Sequence, residues 1–342
     1  MDVDNRDIFP AQHLVDIYGL VKPLLVNPII DQAFQARERT AVTAKTGYHR
    51  QGRLGMILVL ISMLITLASA SALPLFPNFE SRFEVLSFAA IGFGALGLFL
   101  QIHLILTRRK QTWLLNRFAA ERLRSIKFQA YVLAEVASPS DLQHRVDAFL
   151  IAEIAKLESE LNTGAAALRL FSARAATVKA SPKGTGIEAQ SDIAAAAQAA
   201  YRELRINYQK RFAAGEVEAV NTAQRITVTA ADLLYLAGAM LIIGGLVTKL
   251  LLPEAKALPH WIDFFGLSAF VVGLLKTIMD NASLAETSRA RYEDYIQEIQ
   301  ECETELAEEL ADFPSMVRRI ERVVLAELGQ FCQEASRISY RL

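Results

Sequence analysis

Histidine and cysteine are scarce in this chain, with five of one and two of the other among 342 residues. His13, His49, His103, His144 and His260 are scattered over different segments, and none stands four residues from a second ligand, so the sequence offers no metal centre. Cys302 and Cys332 lie on predicted helices without a His or Cys at ligand spacing, and read as reduced, structural thiols. No G-x-S-x-G elbow, H-E-x-x-H pair or kinase signature occurs. Acidic groups such as Glu153, Glu158 and Glu160 fall on amphipathic helices, where they solvate a face. The expectation is a chain with no catalytic residues, no metal and no cofactor, and hence not an enzyme. A net charge of −1 gives no electrostatic case for nucleic acid as a partner. No stretch alternates with a period of two, which excludes an extensive sheet.

Charge is also missing locally. Leu54 to Leu73 contains no charged residue, and a bilayer core of about 30 Å needs roughly 20 such residues in a helix. A loop from Pro74 to Glu84 carries one basic residue, Arg82. A second uncharged run, Val85 to Thr107, ends on Arg108, Arg109 and Lys110. Arg37, Arg39, Lys45, His49, Arg50 and Arg53 precede the first run, so the basic ends read as cytoplasmic and the loop as outer. The pattern recurs: Leu233 to Leu252 is apolar except for Lys249, Pro253 to Asp263 holds Pro259 and Trp261, and Phe264 to Met279 returns with Lys276 near its end. Both lysines suit snorkelling, and Trp261 and Tyr235 suit an interfacial belt. Gly92, Gly94 and Gly97 in the first hairpin, and Gly244, Gly245 and Gly273 in the second, are candidates for close helix packing or a pathway. Gln101 and His103, near the inner end, suit contacts to headgroups or neighbouring helices.

The predicted fold is an all-α membrane protein with four transmembrane helices in two hairpins and a cytoplasmic helical body. Its segments run 1–53, 54–107, 108–231, 232–279 and 280–342, with both termini in the cytoplasm and the chain in the inner membrane. The late first apolar run argues against a secretory signal, and Asp2 and the Tyr340-Arg341-Leu342 end against lipidation. In the insertion, Asp141 is a predicted N-cap, and Leu142, Val146, Leu150, Ile154, Leu157 and Leu161 step along one helix face. Ser181 to Gly186 looks superficially like a phosphate loop but lacks its spacing and a preceding strand, so it reads as a linker. The tail reads as two amphipathic helices, the second capped by Ser315.

Trp113, Arg117, Ala120, Glu121, Leu123 and Arg124 form W-x-x-x-R-x-x-A-E-x-L-R directly after a hairpin. With Tyr201, Arg202, Arg205, Tyr208 and Gln209 before the second hairpin, and Val317, Glu321, Leu325 and Glu327 in the tail, this pattern resembles the bacterial SLATT-type transmembrane families, the SMODS- and SLOG-associated membrane effectors. Phe331 stands where a Trp would fit that pattern. The resemblance implies a multimeric inner-membrane effector of an anti-phage or conflict system, acting by pore formation or membrane perturbation. Its implied partners are the lipid bilayer, further copies of the chain, and a separate nucleotide-sensing or nucleotide-generating protein, since no Rossmann-like sensor is fused here. Spans free of acidic groups agree with a pore better than with an ion-coupled transporter. The alternative is a stator-like or scaffold subunit that works with a separate one-helix partner.

Overall fold

The computed structural model describes residues 5–72, 80–163, 191–251, 261–262, 264–273, 285–307 and 312–337. Among them every regular element is helical and no strand occurs. Residues 73–79, the linker at 181–186, Ile338, and the segments carrying Pro259 and Lys276 lie outside the described residues, as do the side chains of Tyr235 and Lys249, and the predicted loop of Pro74 to Glu84 is helical from Glu80 on.

Prolines set the opening. Helix α1 (Gln12–Ile17), a 3-10 turn (Gly19–Val21) and α2 (Lys22–Leu25) are short pieces, with Pro23 in the first turn of α2. Asn27 then starts a long helix: its Oδ1 accepts the Ile29 N–H at 3.0 Å, and Pro28, with no N–H to satisfy, takes the first helical position. From there α3 (Pro28–Ala72) runs 45 residues, joining the basic segment and the first apolar run in one helix. Helix α4 (Glu80–Leu106) returns.

Helix α4 ends with the second apolar run and does not run on into the next helix. Arg108 adopts φ 50° after the end of α4, and α5 (Arg109–Gln129) begins at the next residue. A 3-10 segment (Ala130–Glu135) leads to α6 (Leu142–Asn162). Asp141 does precede α6, but its carboxylate pairs with Arg145 and makes no cap hydrogen bond. Next come α7 (Ser191–Tyr201), a π-helical turn (Arg202–Asn207) and α8 (Tyr208–Leu251). Then follow α9 (Phe264–Gly273), α10 (Ala285–Ala307) and α11 (Phe313–Arg337). The cap of α11 is Asp312, three residues before the predicted Ser315; its carboxylate accepts from Ser315 and is held below its ordinary range by that bond.

The described residues gather into two compact units, one from 1–43, 111–220 and 287–337, the other from 44–110 and 221–286. The division falls inside four helices, so α3, α5, α8 and α10 each have residues in both. The core of the first unit centres on Leu123, Phe128, Tyr131, Tyr201, Ile299 and Ile320. On α6, Leu142, Val146, Leu150 and Leu157 are buried, with Ile154 and Leu161 packed beside them, so the apolar stripe faces this core. Helix α5 is buried on nearly every side, and Trp113 meets Phe331 edge-on at 6.0 Å.

In the second unit two helices are long and apolar enough to cross a membrane, and two shorter apolar stretches, Leu236–Thr248 and Phe264–Gly273, follow. Only 17% of the window in each long helix is buried, unlike the core helix of a soluble domain. Phe88, Ile91, Phe99, Ile105 and Leu106 stand outward on α4, as do Leu236, Met240, Ile243 and Leu246 on α8.

Both hairpins close on glycine. A Cβ added at Gly97 would lie 2.8 Å from the Gly55 carbonyl oxygen, and one at Gly55 would lie 3.2 Å from that of Gly97. Gly238 and Gly266 repeat the arrangement at 3.0 and 3.1 Å. Backbones approach this closely only where neither helix carries a side chain.

Candidate functional site

The first unit is held together by ions taken out of water. Tyr201 ends α7, and in the π turn after it Leu204, Arg205 and Ile206 are buried consecutively. Arg205 is fully buried. Its Nε and Nη2 donate to Oε1 and Oε2 of Glu321 on α11 at 2.8 and 2.7 Å, a two-pronged pair, and the Tyr201 hydroxyl donates to the same Oε1 at 3.2 Å. The Arg205 guanidinium also lies 4.7 Å from the centre of the Phe128 ring. Burial works against its charge, but Glu321 more than offsets this, so Arg205 stays charged well above its usual range.

Helix α5 supplies the second half. Glu121 accepts from Arg124 at 2.8 Å on one side and pairs with Arg117 at 2.8 Å on the other. Burial alone would raise the Glu121 pKa, but Arg124, Arg117 and Arg205 outweigh it and hold the carboxyl below its ordinary value. Arg117 reaches on to Glu38 of α3 at 3.4 Å. Lys127, one turn along, is 2% exposed and spends its three ammonium protons on three acceptors: the carbonyls of Ile8 and Leu25 at 2.6 and 2.9 Å, and Asp31 Oδ1 at 3.0 Å. One lysine thus ties the N-terminal segment, the end of α2 and the start of α3 to the central helix.

The N-terminal segment inserts Asp7 into this network. Its Oδ2 lies 3.2 Å from Arg124 Nε and 3.9 Å from Arg205 Nη1, so a single carboxylate bridges the two halves. Arg124 Nη2 also donates to Asn5 Oδ1 at 2.5 Å. Asp7 Oδ2, Arg124 Nε and Arg205 Nη1 all lack an aligned hydrogen bond among the described residues, so the bridge is an ion contact without directional bonding. Burial raises the Asp7 pKa despite the two guanidiniums.

A carboxyl whose folded pKa is raised holds its proton more tightly when folded, so stability from this group is complete at low pH and falls as pH rises through the folded value. Asp7→Asn removes this linkage while keeping the shape. The melting temperatures of wild type and Asp7→Asn in detergent, compared from pH 4 to 8, are expected to shift relative to one another in favour of the variant as pH rises. A gap moving the other way would mean that Arg124 and Arg205 outweigh the burial.

On the α10 and α11 side, Arg291 pairs with Glu327 at 2.9 Å and with Glu334, and lies over the Tyr292 and Phe331 rings. It borders an open groove of about 330 Å³ with Asp294, Glu298, Glu301 and Gln330. Gln209 accepts from the Tyr295 hydroxyl at 3.1 Å. Both cysteines are free and buried, and burial pushes the Cys332 thiol up to about 12, away from the reactive thiolate.

The residues singled out by sequence converge here. Arg117, Glu121, Arg124, Tyr201 and Arg205 belong to the network, and Trp113 packs against Phe331. Asp7, Asp31, Glu38, Lys127 and Arg291 were not legible as members of it. In the two hairpins, Gly97 sits at the crossing and Gly94 against Ser62, whereas a Cβ added at Gly92 or Gly244 would meet nothing within 4 Å. Gly245 and Gly273 are buried. The crossing partners Gly55, Gly238 and Gly266 are additions from the structure. Gln101 is buried, with its amide 3.3 Å from Met56 Sδ, and His103 Nδ1 lies 2.7 Å from Gln51 Nε2.

Fold and site together define a class: an all-helical protein with two helices long and apolar enough to cross a membrane, and a helical unit closed by buried ion pairs. Compared with protein-family models, curated proteins and solved structures, the chain matches none.

Proposed function

We propose that this chain is a multi-pass inner-membrane protein that crosses the bilayer four times, and a multimeric effector that permeabilises the membrane in a bacterial conflict or anti-phage response. The observation that carries the reading is helix continuity. Helix α3 bears Asp31 and Glu38 of the ion network and, without a break, the apolar segment around Gly55; at 1.5 Å per residue its 45 residues extend about 68 Å. Helix α8 likewise follows directly on the Arg205 turn and carries Gly238 of the second hairpin. Rearranging the buried ions would therefore displace helices that themselves enter the membrane, which is the two-state element a switch requires. In this reading the ion network holds the resting arrangement, and a separate partner or ligand releases it.

The test is membrane potential. Cells expressing the chain and challenged with phage are expected to depolarise, as read by a potential-sensitive dye, whereas cells without it keep their potential until lysis. An unchanged potential, with the full chain accumulated in the membrane fraction, overturns the effector reading.

A further inference from the structure

The base of the first hairpin carries a run of basic residues. Lys45, Arg50 and Arg53 on α3, and Arg108, Arg109 and Lys110 at the junction of α4 and α5, flank the two long apolar helices. No Asp or Glu occurs on α3 after Glu38, or between Glu84 and Glu121. Both clusters belong to the same compact unit.

The fold brings them together across the hairpin. Arg109 lies over Gly47, where an added Cβ would be 2.9 Å from its Nη1, so the missing side chain makes the notch that seats the guanidinium against α3. The left-handed backbone of Arg108 falls between the end of α4 and Arg109. One turn further into the hairpin, Gln51 Nε2 donates to the Leu100 carbonyl at 3.0 Å and holds the two helices in register. Lys45, Arg50, Arg53 and Arg108 are exposed. The His49 pKa is lowered to about 4, by burial first and then by Lys45 and Arg53, so the positive field of the cluster is felt at its centre.

We propose that this basic collar is a binding site for the phosphodiester headgroup of an anionic phospholipid such as phosphatidylglycerol, clasped between Arg50, Arg53 and Arg109. The inference rests on the membrane reading above. A lipid is the occupant because the cations ring the polar end of apolar helices, where a headgroup phosphate stands while its acyl chains lie along the outward-facing side chains of α4. A cluster of four to eight Lys and Arg beside a span is the usual electrostatic footprint of anionic lipid, and each cation is worth about fivefold in affinity at low salt.

The test uses the full chain in a neutral detergent. Adding phosphatidylglycerol is expected to raise its melting temperature at a lower dose than phosphatidylcholine by at least about tenfold. The triple variant Arg50→Gln/Arg53→Gln/Arg109→Gln should need at least about tenfold more phosphatidylglycerol for the same shift. The double variant Arg50→Gln/Arg53→Gln changes only exposed side chains and should need an intermediate dose, which guards against misfolding of the triple. Equal response to the two lipids, an unchanged dose in the double variant, or stabilisation by inorganic phosphate alone overturns the proposal. Extraction of wild type from membranes by alkaline carbonate would instead overturn the membrane reading, so the two failures are distinguishable.

Discussion

Glu321→Ala is expected to cost about 3–5 kcal/mol of stability, among the largest effects of any single substitution in the helical body. Arg205 is wholly buried, with two of its donors satisfied by Glu321, and the Tyr201 hydroxyl depends on the same carboxylate. Removing the acid leaves a guanidinium with no route to water. Asp7 lies 3.9 Å away and is already shared with Arg124. Domains are stable by only about 5–15 kcal/mol, so the variant should melt far earlier and accumulate poorly.

The pair as a whole should be worth much less than this number. Charged partners gain their attraction after losing hydration, and well-packed apolar replacements of both can be neutral. The double variant Arg205→Met/Glu321→Met is therefore expected to melt closer to wild type than either single change, a coupling that a double-mutant cycle measures. If the two single losses simply added, the pair would not be acting as a unit. A large cost for breaking the pair beside a small net value is what a switch needs, because exchanging ion partners then changes the packing without unfolding the domain.

Why some of this was readable and some was not follows from which groups are local. The apolar runs, the stripe on α6 and the tail helices follow from spacing along the chain, and the helices stand where those patterns put them. Trp113 through Arg124 stood out because their pattern after a hairpin resembles that of the SLATT-type families. Their partners are far away in sequence: Asp7 reaches Arg124 and Arg205, and Arg205 reaches Glu321, over more than a hundred residues in each case. No local pattern marks an aspartate near the start of a chain as buried. The turn at Arg108 was equally hidden, since a left-handed arginine carries no residue signature, unlike glycine. In the second hairpin the described apolar stretches, Leu236–Thr248 and Phe264–Gly273, are shorter than a span.

Gly97→Leu should open the first hairpin, whereas Gly92→Leu, five residues away on the same helix, should leave it closed. The contrast follows from what each side chain would meet. At Gly97 even the first carbon would lie 2.8 Å from the Gly55 carbonyl oxygen and from Val59 Cγ2, and 3.1 Å from the Val59 nitrogen, so backbone must move; at Gly92 nothing lies within 4 Å. A disulfide can report the outcome. A Cβ at Gly94 would be 3.5 Å from that of Ser62, at the close end of the range a disulfide spans, so Ser62→Cys/Gly94→Cys should cross-link on mild oxidation. The native thiols at Cys302 and Cys332 are buried and should not compete. Adding Gly97→Leu is expected to abolish most of the cross-link, read by mass spectrometry after alkylation, while adding Gly92→Leu leaves it in place. Equal cross-linking in both backgrounds would mean that the glycine crossing does not set the helix spacing. On the proposed effector reading, Gly97→Leu should also alter membrane permeability while leaving the buried ion pairs in place.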